Sequence, residues 1–247
     1  MIDYRKPNNN RIDISVSIVI YENTQYLYRS IHSCLNSPLQ THIYIIDNSK
    51  NPSLDEKHLF YDRVEYIKNE KNIGYGAANN IALQKSIFHS KYHLVLNPDV
   101  YFEPGCLESL FEFMETNIDV GLIMPKIINL DGSDQHLCRL LPNPLNLFLR
   151  RFSDSNHFSS NNRQENNLIQ KSRNKISDVA FLSGCFMLLR SKSLQEVGLF
   201  DERYFMYMED VDLCRRIIKK YRNVFYPFTK AYHAHTRGSY NNTKLLY

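Results

Sequence analysis

The sequence predicts an α/β fold: a mostly parallel central sheet flanked by helices, in two halves separated by an insertion. Three observations carry this. Short strands alternate with helical segments. The first strand is apolar on both faces, as a strand covered by helices on each side must be. Polar turns stand at the ends of three strands, where open α/β sheets place their binding groups.

Residues 14–20 (ISVSIVI) form the first strand. Residues 26–35 have helical spacing, with Leu27, Ile31, Cys34 and Leu35 on one side, and Ser37-Pro38 stops them. Strands follow at 42–46 and 64–67, a loop at 72–76, a helix at 77–88 and a strand at 93–96. The polar turns are Tyr21-Glu22-Asn23, Asp47-Asn48-Ser49 and Asn97-Pro98-Asp99. Residues 140–177 interrupt this rhythm as an insertion. Its segment 145–152, apolar and ending in Arg150-Arg151, suits a membrane surface as well as ordinary packing. Beyond it, a strand is expected at 179–189, a helix at 210–219 and short strands at 224–226 and 230–233. One domain, 1–247, accommodates all of this: a first half at about 12–130, the insertion, and a second half at 178–247.

Composition narrows the function classes. The chain has 247 residues, 43% hydrophobic and 23% charged, which excludes wholesale disorder. A net charge of +4 is too mild for a nucleic-acid binder. Five scattered cysteines without a C-x-x-C pair argue against a disulfide framework and a zinc site, and predict reduced thiols. No run approaches the roughly 18 apolar residues that span a bilayer, and residues 1–13 lack a signal-like apolar core. The expectation is a cytoplasmic protein, at most peripheral to the membrane.

Four clusters carry chemistry. Asn97-Pro98-Asp99 sets a carboxylate on a tight turn, where it can hold Mg²⁺ or Mn²⁺ against a diphosphate; alone, N-P-D is more often a plain turn. Asn72-Ile73-Gly74-Tyr75-Gly76-Ala77-Ala78-Asn79-Asn80 permits close backbone approach at a helix start, but matches neither a P-loop nor a dinucleotide fingerprint. Glu209-Asp210, with Asp212, opens a helix. Capping explains one such acid, but not two side by side next to the aromatics Phe205 and Tyr207, and one of them near a diphosphate would gain the proton affinity of a general base. His233 and His235, with Arg237 beyond, alternate at a strand end where a metal or a phosphate could sit.

The ordered set VSIVIYEN, IIDNS, NEKNIGYGAANNIA, LNPDV and FLSGCFMLLRSKSLQEVGLFDERYFMYMEDVDLCRRI resembles the inverting glycosyltransferases of family 2, with the GT-A fold. Within that family it is most similar to rhamnosyltransferase-like enzymes of bacterial surface-polysaccharide assembly. The resemblance implies a donor site of Tyr21, Glu22, Asp47, Asn72, Gly74, Asn79, Asn80, Asn97, Asp99, His233 and Arg237. It implies a Mg²⁺ or Mn²⁺ at Asp99 and His233, and catalysis by Asp210 as base within the Glu209-Asp210 pair. The implied donor is a nucleotide-sugar, dTDP-L-rhamnose, and the implied acceptor a saccharide or lipid-linked saccharide at the inner membrane face. Asn97 stands where the family's D-x-D motif has its first Asp, and Glu22 where Asn is frequent. The rival readings are a nucleotidylyltransferase, which would normally carry a basic glycine-rich first loop, and a non-catalytic binding protein of the same fold.

Overall fold

The computed structural model describes residues 12–22, 24–51, 54, 61–135, 138–139 and 174–234. The elements are β1 (Ile12–Ile20), α1 (Leu27–Leu35), β2 (Thr41–Asp47), β3 (Val64–Lys68), α2 (Tyr75–Ser86), β4 (Ser90–Leu96), β5 (Val100–Phe102) and α3 (Cys106–Thr116). They continue as β6 (Val120–Asn129), β7 (Cys138–Arg139), β8 (Ser177–Asp178), β9 (Phe181–Leu182), β10 (Phe186–Arg190), α4 (Ser191–Val197), α5 (Glu209–Ile217) and β11 (Arg222–His233). The main sheet runs β3-β2-β1-β4-β10-β6-β11-β5, with β8 beside β11, while β7 and β9 form a separate pair.

Strands β1 to β4 pair in parallel, and so do β6 and β11. Strand β10 is antiparallel to both β4 and β6, and β5 is antiparallel to β11. Six strands therefore point one way and finish at one edge of the sheet. Because β10 runs against them, it starts at that edge, with Phe186 opposite Leu96. The end of β11 arrives there too, with His233 opposite Val100 and Asn129.

Alternation along β1 explains the layers. Ile14, Val16, Ile18 and Ile20 are buried in the main core with α1 and its neighbours. The other face carries Ser15, Ser17 and Val19, also buried, and α2 covers it with the small residues Ala78 and Ala82. Polar groups on that face are satisfied internally. Ser15 Oγ lies 2.7 Å from His93 Nδ1, His93 Nε2 lies 3.0 Å from Ser17 Oγ, and Ser17 Oγ donates to Asn79 Oδ1 at 2.5 Å. Complete burial pushes the His93 pKa down to about 3, so this connector is a neutral imidazole.

Three sequence expectations need correction. The 179–189 stretch is not one strand: it breaks at Ser183-Gly184-Cys185 between β9 and β10. The two short strands at 224–226 and 230–233 are one strand, β11, whose register slips between Tyr226 and Lys230. That bulge lies opposite Pro125 and Lys126 of β6, and it accommodates a proline inside a central strand, where a regular ladder would require an N–H. Helix α2 starts at Tyr75, earlier than the 77–88 expected, because Gly74 caps it at φ +93°. Helices α3 and α4 and strands β5 and β6 were not anticipated. The four described cysteines with side chains, Cys34, Cys106, Cys185 and Cys214, are free and buried. No helix among the described residues is long and apolar enough to cross a membrane. The segment 145–152 lies outside the described residues.

Candidate active site

The shared sheet edge gathers the expected site residues that the structure describes. Asp47 ends β2 fully buried, accepting bonds from Ser49 N–H at 2.7 Å and Tyr66 Oη at 2.6 Å. Burial opposes its charge, but these bonds and nearby Lys68 outweigh that and hold its pKa below the usual carboxylate value. Asp47 therefore shapes the loop from within. Its neighbour Asn48, which the sequence reading passed over, ties that loop to the next: Asn48 Nδ2 donates to Asn72 Oδ1 and to Gly74 O, each at 3.1 Å. Tyr21 is half-buried and Glu22 exposed at the end of β1; Glu22 has φ 58°, and its N–H donates to Ser49 Oγ at 2.7 Å.

Asn79 and Asn80 form walls. Asn79 Nδ2 donates to Tyr75 O at 3.0 Å, while its oxygen takes the Ser17 hydroxyl. Asn80 clasps the backbone of Phe200, accepting from its N–H at 3.1 Å and donating to its carbonyl at 2.9 Å. Asn72 Oδ1 accepts from Gly74 N–H at 2.9 Å. Gly74 is compelled twice over: its φ is +93°, and a Cβ there would lie 2.4 Å from Phe205 O. The following Tyr75 N–H donates to that same carbonyl at 2.9 Å. The 72–80 loop is thus bolted to the loop before α5.

The Gly184-Cys185 turn is the junction. Gly184 N–H donates to Asp210 Oδ2 at 2.9 Å, and Cys185 O accepts from Asn97 N–H at 2.9 Å. Tyr75 Oη lies 2.9 Å from Gly184 O and 3.0 Å from Asn97 Oδ1. One dipeptide and one phenol therefore link Asp210 to the Asn97-Pro98-Asp99 turn, 111 residues separating the two aspartates in sequence. Tyr75 itself was not singled out from the sequence, since a tyrosine between two glycines reads as loop filler. Asp99 Oδ1 lies 3.3 Å from His233 Nε2, and His233 Nδ1 lies 3.0 Å from Gln135 Oε1. Burial works against charge on His233, but the bonds to Asp99 and Cys185 outweigh it and push its pKa up to about 10. Arg237 lies outside the described residues.

Among the described residues no group of three or more His, Cys, Asp or Glu is gathered for a metal. Asp99 and His233 nevertheless fit a partial site for Mg²⁺ or Mn²⁺, provided that the cation takes the place of the Nε2 proton that faces Asp99 while Nδ1 keeps its bond to Gln135. Such ions take one or two protein ligands and complete their shell with phosphate oxygens and water.

At the far side of the junction, Tyr207 (φ 67°) and Met208 (φ 72°) adopt left-handed backbone in succession just before Glu209-Asp210. For residues with large side chains this is strained, and such strain collects at functional sites. Asp210 also accepts from Val211 N–H at 2.8 Å, so it does serve the helix start, yet burial still raises its pKa above the ordinary value. Glu209 is only 5% exposed, and its Oε2 is buried with no hydrogen-bond partner. Burial first, and the charge of Asp210 second, push its pKa from 4.5 to about 7. The folded chain therefore holds a proton on Glu209 between those pH values where the unfolded chain has released it, and stability falls as pH rises through that window. Glu209→Gln is expected to lose less stability than the wild type between pH 5 and pH 8 in urea unfolding. Equal losses would contradict a buried, proton-bearing Glu209.

With this geometry in view, the comparisons with known proteins are direct. Residues 15–198 match the family model "Glycosyl transferase family 2". An N-acetylglucosaminyl-diphospho-decaprenol L-rhamnosyltransferase of Mycobacterium tuberculosis is 31% identical over 194 residues, covering 72% of this chain and 62% of that protein. The chain thus spans under two thirds of that relative's length. The rhamnosyltransferase WbbL of Escherichia coli is 25% identical over 215 residues, covering 83% of this chain and 76% of WbbL. Among solved structures, GalNAc-T7 with UDP, GalNAc and Mn²⁺ superposes with a TM-score of 0.66 at 16% identity, covering 91% of this chain and 43% of that one. TarS of S. aureus gives 0.65 at 14% identity, covering 90% and 37%. The mixed sheet with its flanking helices is the GT-A fold, and the chain belongs to glycosyltransferase family 2, alongside rhamnosyltransferase-like relatives.

Proposed function

We propose that the protein transfers a sugar from a nucleotide-activated donor to a hydroxyl of a saccharide or lipid-linked saccharide, with inversion at the anomeric carbon. The observation that carries this reading is the tie of Asp210 and the Asn97-Pro98-Asp99 turn to one backbone junction through Gly184, Cys185 and Tyr75. One end of the site then faces the leaving diphosphate and the other faces the incoming hydroxyl.

Asp210, its proton affinity raised by burial, takes the proton as the acceptor oxygen attacks. The glycosidic bond to the diphosphate breaks in the same displacement, so no covalent enzyme intermediate forms. Asp99 and His233 would hold a divalent cation, Mg²⁺ or Mn²⁺, which would supply neutralisation of charge on the leaving diphosphate. Asn97, neutral at the place of the first Asp of the D-x-D motif, is held by Tyr75 and fixes the turn. The 72–80 loop and Asp47-Asn48 form the nucleotide side, with Tyr21 and Glu22 at its rim and Arg237 as a further contact to the diphosphate.

The names of the mycobacterial and E. coli relatives support rhamnose as the sugar; dTDP-L-rhamnose as the donor rests on the resemblance to the rhamnosyltransferase-like subgroup. The mycobacterial name also supports a lipid-diphosphate-linked saccharide as the acceptor; a place in surface polysaccharide assembly at the cytoplasmic membrane face rests on the resemblance.

A thermal-shift panel of dTDP, UDP and GDP tests the reading, since a ligand that binds only the folded chain raises Tm. dTDP with Mn²⁺ is expected to give the largest rise; no rise with any nucleotide would contradict a donor site. Asp210→Asn is expected to lower turnover by about 10²- to 10⁴-fold, the range of a general base, while keeping the nucleotide-induced shift. Tyr75→Phe removes only the phenolic oxygen that braces the junction. Its turnover is expected to fall about tenfold or more through misplacement of reacting groups; wild-type turnover would show that the brace is dispensable.

A further inference from the structure

The loop between Phe200 and Glu209 has an unusual division of labour. Its backbone is fastened at several points: Asn80 clasps Phe200, Tyr75 N–H donates to Phe205 O, Tyr204 N–H donates to Asp201 O at 3.2 Å, and Met208 O accepts from Asp212 N–H at 2.9 Å. Arg203 forks onto Asp201 and stiffens the same turn. Phe200 alone is buried in the core, at 3% exposure. The other three rings point elsewhere: Tyr204 is 38%, Phe205 43% and Tyr207 50% exposed.

Three of the ten exposed large hydrophobic side chains among the described residues thus fall within four positions, directly before the two acids. Packing does not account for them, since they leave the core. Fold economy does not account for them either, because Tyr207 and Met208 hold left-handed backbone that glycine would adopt without strain. Concentrated exposed apolar surface marks a contact site, and backbone strain kept beside functional acids points the same way.

We propose that Tyr204, Phe205 and Tyr207 form an aromatic platform that receives the pyranose ring of the acceptor saccharide beside Asp210. The chemistry selects this occupant. One face of a pyranose presents C–H bonds, whose weakly positive hydrogens meet the negative face of an aromatic ring, while its hydroxyls project from the edges. A rigid ring on a fastened backbone loses little entropy on binding, and the tyrosine hydroxyls supply polar contacts at the rim. Stacking orients the sugar so that one edge hydroxyl meets the Asp210 carboxylate. The same fastening, through Phe205 O to Tyr75 and past Gly74, joins the platform to the nucleotide-side loop. This proposal deepens the transferase reading and rests on Asp210 as its base.

The test uses binding first, because binding does not require turnover. Saturation-transfer NMR with methyl α-L-rhamnoside, methyl β-D-glucoside and methyl N-acetyl-β-D-glucosaminide, with dTDP and Mn²⁺ present, reads which sugar protons lie against protein. Tyr207→Ala and Tyr204→Ala are expected to weaken binding of the recognised glycoside about 3- to 10-fold each, the size of one lost ring contact. Tyr207→Phe, which keeps the ring at the same backbone position, is expected to restore most of it. In transfer assays the alanine variants are expected to raise the acceptor KM more than they lower kcat.

Glycoside binding that is equal in wild type and both alanine variants would overturn the platform. So would variants that lose affinity only for decyl phosphate, a probe for a lipid tail. A wild type that binds a glycoside through these rings but transfers no sugar would leave the platform standing and refute the transferase reading instead.

Discussion

Two hydrogen bonds on one dipeptide organise this molecule's working edge: Gly184 N–H to Asp210, and Asn97 N–H to Cys185 O. They exist because β10 runs against its neighbours. An antiparallel strand inserted between β4 and β6 begins where those strands end, so the turn that feeds it stands among their terminal loops. A fully parallel sheet would have placed the start of that strand at the opposite edge. Tyr75 then braces the turn from the nucleotide-side loop, and its position is set in turn by Gly74 and the carbonyl of Phe205.

The same junction separates two electrostatic settings. On one side, Asp99 pairs with His233 and raises the histidine's proton affinity despite burial, so the two side chains together favour a positive charge shared between them. On the other, Glu209 and Asp210 sit in surroundings that disfavour charge, so their proton affinity rises. Opposite demands within one site are what the proposed displacement needs. The leaving group must meet compensated negative charge, and the incoming hydroxyl must meet a group willing to accept a proton. The unpartnered oxygen of Glu209 and the left-handed pair Tyr207-Met208 are costs to stability that cluster at this one place.

Much of this was legible in the sequence, and the exceptions have physical causes. The strands β1, β2, β3 and β4 announced themselves through apolar runs ending in polar turns, because a helix-covered parallel strand leaves that signature. The acids at 99, 209 and 210 were visible because carboxylates at such places are conspicuous. The break at Ser183-Gly184-Cys185 was not, since apolar residues continue on both sides and periodicity does not register a turn made for a hydrogen bond. Proline concealed β6, where a bulge in β11 absorbs the irregularity. Asp47, Asn79 and Asn80 entered the expected donor site through the resemblance, and what each side chain bonds to within the fold was not legible. Their hydrogen bonds include local ones to Ser49 and Tyr75, but also bonds to Tyr66, Ser17 and Phe200, partners remote in sequence that no local pattern reveals.

The most direct measurement of the central claim is a crystal structure with dTDP and Mn²⁺ bound, using the anomalous signal of manganese to locate the ion. The account predicts a single peak against Asp99, with the β-phosphate beside it and the Asp210 carboxylate across a gap that admits one hexose. A manganese peak away from Asp99, or a nucleotide whose β-phosphate faces away from Asp210, would contradict it.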